Sequence, residues 1–193
     1  MKKLFLFGFF AVMLLTACEK DEVTIGNASL IEGAWELTTV RYDKTVYADS
    51  NGNTHLKDSS YIRTYEKKEQ VWLYYENSVS WWTWASYSEQ DGQGHWSGYV
   101  CDCNKTYVVE GEGENMVIVE TTTSHIPPME PTWHDTRFAV RRLTSKDMVL
   151  ATIEQMYVSD TQNTVDVQVT YTFSRENTLP AYIEYLRSRY PED

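Results

Sequence analysis

Several short stretches carry side chains able to do chemistry. His134-Asp135 sets an imidazole beside a carboxylate that could orient it as a general base. His134, like His95 and His125, lies in or beside a predicted loop, where such a pair is ordinarily plain surface. Glu110, Glu112 and Glu114 supply carboxylates in alternation with glycines, the composition of a solvated turn rather than an acid–base pair. Asp49, Asn51 and Asn53 have part of the spacing of a calcium-binding loop. Gly52 stands one residue too early for that pattern, and position 60 is Ser instead of Glu, so the stretch reads as a hairpin turn. Gly-x-Ser-x-Gly, His-Glu-x-x-His and phosphate-cradling glycine loops do not occur. These residues predict no enzyme, with no catalytic, metal or cofactor site.

Cys101 and Cys103 sit two apart in "YVCDCNKTY". In a regular strand that spacing is too long for a relaxed disulfide. Two buried thiols, a strained turn disulfide and a soft-metal pair are the readings that remain. The last lacks a second Cys or His pair at ligand spacing.

The densest signal is aromatic. "SWWTWASY" (80–87) holds Trp81, Trp82, Trp84 and Tyr87, and Trp72 precedes it in the neighbouring predicted strand. Strand alternation puts Trp81, Thr83, Ala85 and Tyr87 on one face, suited to an interior. Trp82 and Trp84 fall on the other face, between serines, and look outward. These five aromatics are candidates for a ligand cavity wall or for an exposed patch that takes glycan or protein; ordinary core packing is the alternative.

The chain opens Met1-Lys2-Lys3, followed by an uncharged apolar run and then Leu15-Thr16-Ala17-Cys18. This is the pattern of a secretory signal, too short for a stable membrane span. Leu15-Thr16-Ala17-Cys18 resembles the bacterial lipobox. That resemblance implies a signal peptide over residues 1–17, acylation of Cys18, and attachment to the outer membrane through it. Lys20-Asp21-Glu22 resembles an acidic surface-export tag, which implies the outer face of that membrane; a solvated acidic tether over residues 18–29 is the plainer reading, with the periplasmic face then open. The formal charge of −11 becomes two units more negative on losing Lys2 and Lys3, and an acidic protein repels phosphate backbones, so nucleic acid is excluded as a partner.

The rest of the chain, residues 30–193, reads as one all-β domain. The clearest strand is 165–175, where Val165, Val167, Val169, Tyr171 and Phe173 alternate with polar residues and so predict an inward set. Less regular runs predict strands at 35–42, 61–66, 70–76, 79–88, 96–103, 105–111, 116–123, 136–143 and 147–158. Turn residues separate many of them. "HIPPMEPTWHD" (125–135), with three prolines, predicts a long loop. "NTLPAYIEYLRSRY" predicts a terminal helix, with Leu179, Tyr182, Ile183 and Leu186 on one stripe.

Gly33-Ala34-Trp35, at the start of this series of strands, resembles the Gly-x-Trp that opens a lipocalin-like domain. Arg175, ending the last strand, matches the arginine that stacks over that tryptophan. The resemblance implies an antiparallel up-and-down β-barrel of lipocalin-like type with a short C-terminal helix, Trp35 and Arg175 lying at its closed end. A β-sandwich is the alternative, because the later Asp-containing turn of lipocalins has no counterpart here. The function expected is a cell-envelope lipoprotein that binds a small apolar or amphipathic ligand without catalysis. The alternative is a surface module that binds glycan or protein.

Overall fold

The computed structural model describes residues 25–88, 95–124 and 132–177. A 3-10 turn, Ala28–Leu30, leads into β1 (Gly33–Tyr42), and a second lies at Gly113–Asn115. Then come β2 (Thr45–Ala48), β3 (Thr54–Lys57), β4 (Tyr61–Thr64), β5 (Gln70–Tyr75) and β6 (Ser78–Ser88). β7 (His95–Glu110), β8 (Val117–Ser124), β9 (Thr132–Leu143), β10 (Asp147–Val158) and β11 (Asn163–Glu176) complete the series.

Eight antiparallel strands, β1 and β5 to β11, form one closed ring. Closure comes from β1, which pairs with β11 along one edge and with β5 along the other. A sandwich is therefore excluded. The side-chain alternation of β11 explains why the sheet closes on itself: Val167, Val169 and Phe173 are buried, and Val165 and Tyr171 pack against them. Their polar neighbours face the outside, as a period of two requires.

The segment between β1 and β5 departs from a simple meander. β4 pairs with the second half of β1 (Thr39–Tyr42) and β5 with the first (Gly33–Glu36), so the two lie end to end along one edge. β2 and β3 form a separate hairpin, whose Val46 packs against the barrel interior. It turns at Asp49–Asn53, where Asp49 Oδ1 accepts from the backbone N–H groups of Asn51 and Asn53. The near-calcium spacing is thus used for an Asx-type turn.

Two expectations are corrected. The strands expected at 96–103 and 105–111 are one strand, β7, which runs through Asn104 to Glu110 and carries a bulge at residue 102. Trp81 lies opposite Cys103 and Trp82 opposite Cys101, so the extra residue is absorbed without ending the strand. The proline-rich loop expected over 125–135 is shorter than that. β9 begins at Thr132, and Thr132–Asp135 pair with Thr121–Ser124. All three prolines precede β9 in sequence, so none removes a donor from its ladder. The remainder of that stretch and the expected terminal helix with Leu179, Tyr182, Ile183 and Leu186 lie outside the described residues. No helix among the described residues is long and apolar enough to cross a membrane.

One end of the barrel is closed over Trp35. Trp35 is fully buried and its indole N–H donates to the Ile31 carbonyl at 2.7 Å. The Arg175 guanidinium lies 4.1 Å from the centre of the Trp35 ring and donates to the carbonyls of Glu32 and Leu30. Gly33, in the middle of this knot, adopts φ +122°, and a Cβ there would collide with Arg175 Nη1. Gly33→Ala is expected to destabilise the protein by about 1–3 kcal/mol or more. Gly52→Ala, at φ +83° but in open space, carries only the backbone part of that cost. Urea denaturation of the two variants separates strain from collision.

Candidate functional site

The barrel interior is graded along its axis. Above Trp35 the cross-strand partners Trp72 and Trp81 stack at 4.3 Å between ring centres, nearly parallel. Phe138, Tyr171 and Phe173 pack around Trp72. Lys105 Nζ lies 3.7 Å from the centre of the Trp81 ring and 3.2 Å from Glu120 Oε2. Tyr74 OH donates to Glu120 Oε1 at 2.8 Å. Glu120 is fully buried, and burial raises its pKa even though Lys105 and Tyr74 oppose the rise. Such a pair, once buried, is costly to break: removing Lys105 alone would cost about 3–5 kcal/mol. Beside this cluster, the indole N–H groups of Trp72 and Trp81 are buried with no hydrogen-bond partner, an arrangement that costs about 1–3 kcal/mol per donor.

Toward the opposite end, packing loosens. Tyr171 OH donates to Glu154 Oε1 at 2.6 Å, and burial first, then this carboxylate, raises the phenol's pKa. Here a cavity of about 310 Å³ is lined by Tyr42, Val46, Tyr61 and Met156, with Lys44 and Arg63 also on its walls. Tyr42 and Tyr61 stack at 6.1 Å, and Arg63 sits 4.5 Å over the Tyr65 ring. The Lys44 ammonium donates to the Asp166 carbonyl, and Arg63 pairs with Glu69. The site is therefore an aromatic and aliphatic chamber with two cations, under the β2–β3 hairpin.

A second and larger cavity, about 810 Å³, opens in the wall between β9 and β10. Both strands are twelve residues long, yet their ladder joins only Ala139–Leu143 to Met148–Ala151. Beyond it the strands diverge. Thr152 and Glu154, which alternate with exposed residues on β10, line the gap together with Asp135, Arg137 and Arg141.

The structure divides the aromatics singled out by sequence. Trp72 and Trp81 lie inside, while Trp82 packs outside with Ala34, Val71, Leu73 and Tyr99. Trp84 is half exposed and meets Tyr99 edge-on at 5.1 Å. The side chain of Tyr87, like Cys18 and Cys103, lies outside what is described. Cys101 is exposed on β7. His134 is exposed on β9, and its neighbour Asp135 accepts from the Thr121 hydroxyl, so no imidazole–carboxylate pair forms there. Glu110 pairs with Arg137 on the surface. Trp35 and Arg175 meet as described above.

Sequence reasoning missed His55. It lies on β3 between two carboxylates, Asp160 at 3.0 Å from Nδ1 and Asp49 at 3.2 Å from Nε2, with the Tyr47 ring 5.5 Å away. Asp160 belongs to the β10–β11 turn, so His55 fastens the hairpin over the mouth to the barrel. Thr54 and Ser159 add reciprocal hydrogen bonds beside it.

The closed barrel of eight antiparallel strands fits a lipocalin-like fold. No family model matches the chain, and no curated protein proves similar to it.

The hydrogen bond to Asp160, then that to Asp49, raises the His55 pKa, while His55 and then the Asn53 N–H lower that of Asp49 to about 2. The histidine's contribution is complete below its unfolded value of about 6.5 and is lost as pH rises through the raised folded value. That of Asp49 is present above about 3.9 and lost as pH falls through about 2. The hairpin should therefore be held most firmly between about pH 4 and 6.5 and loosen above. Amide exchange at Thr54–Lys57, corrected for intrinsic rates, should quicken relative to β10 above that window, and Asp160→Asn should lower the His55 pKa measured by NMR.

Proposed function

We propose that this protein is a lipid-anchored, lipocalin-like barrel that binds a small apolar or amphipathic molecule and performs no chemistry on it. The observation that carries the reading is the contrast between the two ends of the barrel. At one end Trp35 is fully buried beneath Arg175, whereas the mouth holds a chamber of about 310 Å³, at the lower end of the range for small-molecule sites. An apolar body fits against Tyr42, Val46, Tyr61 and Met156. A negatively charged or oxygen-rich head fits Lys44 and Arg63, which offset locally the repulsion from a chain with net charge −11.

A second reading rests on Trp84, half exposed beside Tyr99 on the outer wall: a patch that takes glycan or protein. The two are distinguished by titrating residues 22–193 with a fluorescent fatty-acid probe. Saturable energy transfer from tryptophan, displaced by unlabelled fatty acid, supports the barrel reading, and Met156→Ala should then weaken binding by about tenfold. A folded protein with no saturable signal removes the barrel reading and leaves the outer patch.

The anchor is part of the same proposal and is supported by Leu15-Thr16-Ala17-Cys18 alone. The destination is the outer membrane, with the surface-exposed face favoured by Lys20-Asp21-Glu22. Cells expressing the chain should incorporate labelled palmitate into it, and Cys18→Ser should abolish the label; label retained in that variant would refute acylation at Cys18.

A further inference from the structure

The gap between β9 and β10 plays no part in the function proposed above. From Trp133 to Phe138, β9 is held by its other neighbour, pairing Ile118–Thr123 of β8. From Thr152 to Tyr157, β10 is held in the same way by Thr164–Val169 of β11. Both stretches are thus fixed as extended strands from behind, and neither pairs with the other. In an antiparallel strand every second residue turns its N–H and C=O toward a given side. Two strand edges therefore face each other across the cavity of about 810 Å³, each about 20 Å long at roughly 3.3 Å per residue.

Barrels ordinarily abolish such edges, because an unpaired edge is a template for another chain. Among the described residues, one side-chain hydrogen bond reaches this stretch from the β2–β3 hairpin, from the Thr54 hydroxyl to the Tyr157 carbonyl. The outer rim is apolar at the mouth end. Trp133, Ile153 and Tyr157 are each more than half exposed. Continuing the register from Ala139 opposite Ala151 would set Trp133 against Tyr157 and Arg137 against Ile153. Alternate side chains of a strand laid in the gap would fall between Trp133 and Tyr157.

We infer that this gap is a binding groove for an extended polypeptide segment of a partner protein, which completes the wall as an added strand. Main-chain hydrogen bonds to the β9 and β10 edges supply affinity, and apolar side chains at alternate positions meet Trp133, Ile153 and Tyr157. The cost of ordering the edges is already met by β8 and β11, so only the incoming segment loses freedom on binding.

The test uses the full chain in detergent and a capped heptapeptide alternating threonine and valine. Free protein should show rapid amide exchange at alternate positions of 133–138 and 152–157, and the peptide should protect them. The same peptide N-methylated at alternate amides, unable to donate along one edge, should bind at least about tenfold more weakly. Ile153→Asp, which places a charge on the exposed rim, should weaken peptide binding by at least about tenfold and leave the circular dichroism spectrum unchanged. Protection of both edges in the free chain would overturn the inference, as would equal binding of the methylated peptide. Protein self-association that excludes the peptide would also overturn it, by making a second copy the occupant.

Discussion

Trp35 ties together three parts of the chain that sequence keeps far apart. Its N–H holds the Ile31 carbonyl of the incoming segment, its flank is backed by Trp72 of β5, and its face carries Arg175 of β11. Arg175 in turn holds the carbonyls of Leu30 and Glu32. The 3-10 turn at Ala28–Leu30 therefore cannot leave the barrel end without exposing an indole and stranding a guanidinium. Closure of the sheet depends on the same knot, because β1 and β11 meet in register there, Trp35 opposite Arg175.

How much of this was legible in sequence follows from the range of each interaction. The inward set of β11 could be read because alternation is local: Val167 and Val169 declare their face through neighbours one residue away. The split of Trp81 inside and Trp82 outside follows from the same rule. Gly33, Trp35 and Arg175 were legible through a family likeness, and the contact between them is what the fold makes of it. The β2–β3 hairpin left only its turn in the sequence, since strands of four residues are too short to show a period. β7 was read as two strands because a bulge shifts the alternation by one. His55 was invisible, because one of its two carboxylates is 105 residues away. The gap between β9 and β10 was equally hidden, since each strand alternates acceptably and only their mutual register fails.

The interior polar groups follow a consistent economy. Glu120 is buried with Lys105 and Tyr74 on its two oxygens, and Glu154 accepts from Tyr171. Each carboxylate is answered by a donor from a different strand, so these pairs fix the relation of strands to one another as well as satisfying charge. The ammonium of Lys105 also covers the Trp81 ring, which lets a charged side chain sit in an aromatic interior without facing solvent. Such pairs act as pegs between staves rather than as a general adhesive.

The pairing of the first long strand with the last has a consequence in time. Thr38 of β1 bonds to Thr172 of β11 across 134 residues of chain, and β5 through β10 all lie between them. Hairpins such as β5–β6 and β10–β11 can form from local contacts as soon as their residues are available, but the ring cannot shut until its final strand arrives. While the chain is being made, β1 emerges first and waits longest with an unfilled edge. Its bulge at Thr38 interrupts the open edge that waits for β11, while β5 and the short β4 cover the opposite edge.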